Sequence, residues 1–120
     1  MKIIKKGAEA DIYQIQWNHA NGSNAIFKVR KSKPYRNPIL DSRLRRQRTI
    51  KESQIISEVK LFGIPTPLVY FVNLEKSAII MQAIPGKPIH DLPNKKIIQL
   101  SKEIGRLVGI MHKHGIMHGD

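Results

Sequence analysis

Ala25-Ile26-Phe27-Lys28-Val29-Arg30 is the stretch on which the reading of the fold turns. Its β-branched and aromatic residues favour a strand, and alternate residues of a strand share a face. Lys28 then stands on the face of Ile26, a largely apolar surface on which an ammonium group needs an anion. A carboxylate or a ligand phosphate would serve. The natural candidate is Glu52, because Ile55, Ile56 and Val59 follow it at helical spacing and set it beside an inward-facing stripe. A lysine on the third strand would thus meet an acid on the next helix. The competing reading is an edge-strand lysine facing water.

Outward from this stretch, residues 1–5 and 11–17 alternate apolar and polar, as half-buried strands do. Lys6-Gly7-Ala8-Glu9-Ala10 joins them tightly, and Asn21-Gly22 marks a turn before residue 25. The first 30 residues therefore read as a three-strand antiparallel meander. A loop over 31–37, punctuated by Pro34 and Pro38, leads into a helix expected from Ile39 to Phe62. Leu44, Ile55, Ile56 and Val59 supply its apolar side; Arg43, Arg45, Arg46, Arg48 and Lys51 supply its polar side. Gly63 and Pro65 end it. Two further strands are expected over 68–72 and 77–81, joined through Asn73 to Lys76. Pro85-Gly86-Lys87-Pro88 then reads as a linker. A second helix is expected from Asn94 to His114, with Ile97, Leu100, Ile104, Leu107, Val108 and Met111 on one stripe. Gly105 and Gly109 each cost it about 1 kcal/mol relative to Ala, and close packing is the expected reason for them.

The chain of 120 residues has room for a modest core. Its 41% hydrophobic and 25% charged content is that of a soluble globular protein. No apolar run approaches the ~18 residues of a membrane helix, and the apolar stretch after Met1 is too short for a signal peptide. Cysteine is absent, which excludes disulfides and cysteine metal sites and fits a cytoplasmic location. Lys plus Arg number 21 against 9 acidic residues, a net charge of +12. Such an excess favours a polyanionic partner. Lys33, Arg36, Arg43, Arg45, Arg46 and Arg48 concentrate it before and along the start of the first helix, where it could neutralise RNA phosphates, contact a protein partner or simply face solvent.

Two further segments bear on chemistry. The small side chains of Gly7 to Ala10 would let backbone amides approach a phosphate. At the other end, His118-Gly119-Asp120 follows the second helix. A carboxylate held there at a cleft edge can accept a proton from a hydroxyl substrate. The His-x-Asp spacing matches the catalytic loop of protein kinases, with Gly119 in the arginine place. His112, His114 and His118 show no metal-binding grouping.

Four segments together resemble a known family. They are Lys6 to Ala10, Phe27 to Pro38, Leu40 to Glu52 and Gly115 to Asp120, and they spread over the whole chain. Tyr35-Arg36-Asn37-Pro38, Leu40-Asp41, Arg45 to Thr49 and Glu52 form the most diagnostic block. The family is the atypical serine/threonine kinase of the KEOPS complex, the PRPK type of archaea and eukaryotes. The resemblance implies an α+β, protein-kinase-like fold with a five-stranded antiparallel N-lobe sheet and one long helix. It divides the chain into an N-lobe (1–84), a hinge or linker (85–93) and the start of a helical C-lobe (94–120).

The same resemblance implies binding of ATP with Mg²⁺, and protein kinase or ATPase activity in tRNA N6-threonylcarbamoyladenosine modification. The threonylcarbamoyl-transferase subunit, other KEOPS subunits and tRNA are the implied partners. Lys28 would orient phosphates, Glu52 would hold Lys28, and Asp120 would be the catalytic base. Ile4, Gly7, Ala8, Glu9, Ala10 and Ile12 would cover the nucleotide from one side; Met81, Gln82 and Ile84 would meet it from the hinge. The catalytic-loop Asn and the metal-binding Asp of the family would lie after Asp120. The sequence is therefore expected to be an N-terminal fragment that transfers no phosphoryl group by itself. Competing readings are a small-molecule phosphotransferase of the aminoglycoside or RIO type, which shares the His-Gly-Asp loop, and a non-catalytic scaffold for RNA or a partner protein.

Overall fold

The computed structural model describes residues 1–17 and 24–116. The expected Asn-Gly turn lies outside them. Strands β1 (Lys2–Lys6), β2 (Ala10–Gln16) and β3 (Asn24–Arg30) precede the long helix α1 (Pro38–Leu61); β4 (Val69–Asn73), β5 (Ala78–Gln82) and α2 (Asn94–Lys113) follow it. The five strands form one antiparallel sheet in the order β1-β2-β3-β5-β4. This is the α+β, kinase-like architecture expected from the sequence.

Register fixes which residues share the sheet face under α1. Lys28 pairs with Ile12 on one side and Ile79 on the other. Ile26 pairs with Gln14 and Met81, and Arg30 with Ala10. Directly opposed residues project to the same side, so Ala10, Ile12, Ile26, Lys28, Arg30 and Met81 line one surface. Tyr13, Phe27 and Ile80 take the other, with the Tyr13 and Phe27 rings 6.1 Å apart. The β1–β2 pairing skips Ile4, a bulge that re-aims a side chain.

Local chemistry explains both ends of α1. Asn37 caps it, its side-chain Oδ1 accepting from the N–H groups of Ile39 (2.9 Å) and Leu40 (3.3 Å). Pro38 occupies the first helical position, where its missing N–H costs nothing. The helix thus begins one residue before the expected Ile39. At the other end the Ile64 N–H reaches Val59 O and the Gly63 N–H reaches Lys60 O, with Gly63 at φ +82°. That double closure is the glycine-terminated stop anticipated there. Helix α2 ends the same way: Ile116 bonds to Met111 O and Gly115 (φ +77°) to His112 O.

The two stops meet. Val59, Ile64 and Ile116 form a buried cluster, with Ile55, Phe62, Leu107, Ile110 and Met111 packed around it. A second apolar core lies in the sheet, where Ala25, Ala78, Ile79 and Ile80 are buried. The α2 stripe is unevenly covered: Ile97 and the C-terminal residues from Leu107 are half-buried, while Leu100 and Ile104 between them are exposed. The expected close packing at Gly105 and Gly109 is not found there, since a methyl group at either position would meet no atom within 4 Å. Neither long helix is long and apolar enough to cross a membrane.

The inward stripe of α1 departs from the expected pattern. Its buried residues are Asp41, Thr49 and Val59, so the stripe is polar at first and apolar only near its end. Arg45, assigned above to the polar side, is half-buried and its Nε donates to Asp41 Oδ2 at 2.7 Å. Arg36 Nη1 (3.3 Å) and the Lys33 N–H (3.1 Å) reach Asp41 Oδ1. Burial pushes the Asp41 carboxyl up, but the Arg45, Lys33 and Arg36 hydrogen bonds outweigh it and hold it below its ordinary value.

Candidate functional site: a lysine–glutamate pair between sheet and helix

Lys28 projects from the middle of β3 between Ile12 and Ile79, and α1 crosses above it. Its Nζ lies 2.7 Å from Glu52 Oε1. The second carboxylate oxygen, Oε2, accepts from Arg30 Nη2 at 2.8 Å. Glu52 is therefore held at both oxygens. Sequence reasoning misses Arg30, although its position two residues after Lys28 sets it on the same face.

Two residues back along β3 from Lys28, at Ile26, a hollow of about 440 Å³ opens that is lined by Ile4, Gln14, Asn24, Ile26, Ala83, Ile84 and Pro85. Ile4 and Ile84, expected on opposite sides of a nucleotide, come together here. Apolar walls of this kind suit a flat heteroaromatic base, and polar amides stand at the edge. Met81 lies opposite Ile26 on the same sheet face. Gln82 pairs instead with Leu68: its N–H donates to Leu68 O at 2.8 Å, and its Oε1 accepts from the Leu68 N–H at 3.1 Å.

The Gly7–Ala10 segment is closed by its own backbone. The Gly7 N–H donates to Ala10 O at 2.8 Å. A Cβ at Gly7 would lie 2.7 Å from that same oxygen, so only glycine fits. Three contacts tie the segment to later residues. Lys33 Nζ donates to Ala8 O, the Lys31 N–H donates to Glu9 O at 3.0 Å, and Arg48 Nη1 pairs with the Glu9 carboxylate at 3.3 Å.

The six basic residues thus separate into two sets. Lys33, Arg36, Arg45 and Arg48 are engaged within the chain. Arg43 and Arg46 are exposed, make no ion pair among the described residues, and border a hollow of about 500 Å³ with Pro38, Ile39 and Ser42. No cluster of three metal-ligating side chains exists among the described residues. Asp120, the expected catalytic base, lies outside them together with His118 and Gly119.

A five-stranded antiparallel sheet under one long helix, with a Lys–Glu bridge between them, defines a protein-kinase-type N-lobe. No protein-family model matches the chain. Curated relatives do, along its whole length. It is 37% identical to the KEOPS complex subunit Bud32 of Pyrococcus abyssi, covering 100% of this chain and 58% of that protein. Identity is 34% to an EKC/KEOPS complex subunit of Schizosaccharomyces pombe, over 100% of this chain and 53% of that one. A probable bifunctional tRNA threonylcarbamoyladenosine biosynthesis protein of Methanothermobacter thermautotrophicus is 38% identical over 98% of this chain and 21% of its own length. The chain thus spans little more than half of the KEOPS subunits that it matches. The resemblance expected from the four sequence segments is shown: the chain is homologous to the Bud32-type subunits of KEOPS.

Proposed function

We propose that these residues form the ATP-binding lobe of a Bud32-type kinase or ATPase that serves, within a KEOPS complex, the threonylcarbamoylation of tRNA adenosine. The observation that carries this reading is the 2.7 Å contact between Lys28 Nζ and Glu52 Oε1, on the sheet face whose Ile26 lines the hollow. An ammonium fixed in that way presents positive charge to a bound triphosphate at a set distance from the base. The donor set suits ATP: apolar walls for the adenine, a backbone edge at residues 83–85, and two cations at the far end. ATP when bound supplies the phosphoryl group that is transferred or released. Lys28 orients its phosphates, Glu52 holds the ammonium, Arg30 holds Glu52, and Ile4, Ile26 and Ile84 exclude water from the base. Asp120 is the residue proposed to take the proton from the attacking hydroxyl or water. Mg²⁺ bound with the nucleotide would neutralise charge on its phosphates.

Names of the relatives support tRNA and other KEOPS subunits as partners, and the threonylcarbamoyl-transferase subunit is proposed beside them. Absence of cysteine suits a cytoplasmic protein. The decisive experiment uses the full-length protein. ATP binding is measured for it and for Lys28→Ala, and ATP hydrolysis is measured with and without tRNA and the transferase subunit. Binding lost in Lys28→Ala, with hydrolysis stimulated by both partners, is the expected result. Hydrolysis stimulated instead by a small hydroxylated acceptor favours the small-molecule phosphotransferase. RNA binding with no ATP affinity favours a scaffold.

A further inference from the structure

We propose that Arg30 is a second positioning cation of the cleft, one that keeps Glu52 oriented while Lys28 engages a phosphate. This rests on the ATP-binding reading above. In a two-residue bridge the ammonium serves both the carboxylate and the ligand, so its movement toward a phosphate loosens the carboxylate that should hold it. Here the two oxygens are divided. Lys28 takes Oε1 at 2.7 Å and Arg30 takes Oε2 at 2.8 Å. When Lys28 shifts, the Arg30 bond remains.

Arg30 is suited to that part. Its side chain is 16% exposed against 29% for Lys28, so it is the more buried cation. Its backbone is pinned, the N–H donating to Ser77 O at 3.1 Å and Ala10 standing opposite in the sheet. A guanidinium stays charged at any physiological pH and offers donors in a rigid fork, whereas an ammonium on a flexible stem is free to turn. Arg30 Nε is buried with no hydrogen-bond partner among the described residues, so the guanidinium keeps a donor unused.

The test is a double-mutant cycle in the full-length protein, read as affinity for the non-hydrolysable ATP analogue AMPPNP by calorimetry. Arg30→Gln, Glu52→Gln and their combination are compared with the parent. Arg30→Gln is expected to weaken AMPPNP binding about tenfold in the parent and less than about twofold in the Glu52→Gln background, since its effect passes through Glu52. Arg30→Lys, which keeps the charge, is expected to recover part of the lost affinity, and Arg30→Met, which keeps the stem and removes the donors, replaces Arg30→Gln should that variant not fold. Equal weakening in both backgrounds overturns the proposal and leaves the nucleotide reading intact. A lowered melting temperature with unchanged AMPPNP affinity overturns it too, because Arg30 would then be structural only. A parent protein that binds no AMPPNP overturns both readings together.

Discussion

Phe62 and His114, the residues that close α1 and α2, lie face to face with ring centroids 3.7 Å apart and planes 14° from parallel. The stack joins the ends of two helices far apart in sequence, directly over the Val59–Ile64–Ile116 cluster. A cycle of Phe62→Ala and His114→Ala, followed by denaturant unfolding, should give a coupling of about 0.5–1.5 kcal/mol, as stacked aromatic pairs do. Additive losses would mean that each ring acts through its own contacts alone.

Two glycines should respond to alanine with opposite signs. Gly63 sits at φ +82°, where a side chain is strained, and Gly63→Ala should cost about 1–2 kcal/mol. Gly109 lies inside α2 with open space where a methyl group would stand, and Gly109→Ala should stabilise by about 1 kcal/mol. Thermal unfolding of the two variants decides both, and a destabilised Gly109→Ala would reveal a close neighbour at that helix face.

The Asp41 carboxyl is held below its ordinary value of 3.8. A depressed carboxylate contributes stability that is complete above its unfolded pKa and is lost as pH falls through the folded one. Asp41→Asn should therefore lower the melting temperature at pH 7. The difference from the parent should shrink steadily below about pH 4. A difference that stays constant from pH 7 to pH 3 would remove the ionic part of this account.

Of the six basic residues before and along the start of α1, Arg43 and Arg46 are the two left exposed and without an ion-pair partner among the described residues. Arg43→Glu with Arg46→Glu should weaken tRNA binding by the full-length protein and reduce the slope of log affinity against log salt by about 2. Melting temperature should hardly change, since neither residue has an ion-pair partner among the described residues. An unaltered slope would assign these arginines to another role.

Much of this arrangement is legible in the chain itself. A period-2 pattern gives way to a 3.6-residue pattern near residue 38, and glycine and proline mark the joints, so order and type of the elements follow. Lys28 and Glu52 can be paired because each is anomalous on its own surface. The details set by hydrogen bonds are less visible. Ser77 reads as strand in the sequence but ends the preceding turn at φ +52°, where its carbonyl receives the Arg30 N–H. Asp41 sits in a run of arginines that looks like a solvated face. Only the folded loop 31–37 brings Arg36 and the Lys33 amide back onto it. The Arg48–Glu9 and Lys33–Ala8 contacts join residues 39 and 25 positions apart, which no local pattern encodes. Arg30 differs: its parity with Lys28 is readable from the chain, and its burial is not.

Helix α1 is fastened by two kinds of force, one at each end. Its first two-thirds are tied by Asp41, Arg45, Arg48 and Glu52 through ionic contacts; its last turn is packed into hydrocarbon. Simple salts screen exposed ionic contacts and barely weaken hydrocarbon packing. Of these ionic contacts only Arg48–Glu9 is well exposed, so added salt loosens that fastening first and leaves the buried Asp41 pairs and the hydrocarbon end largely untouched.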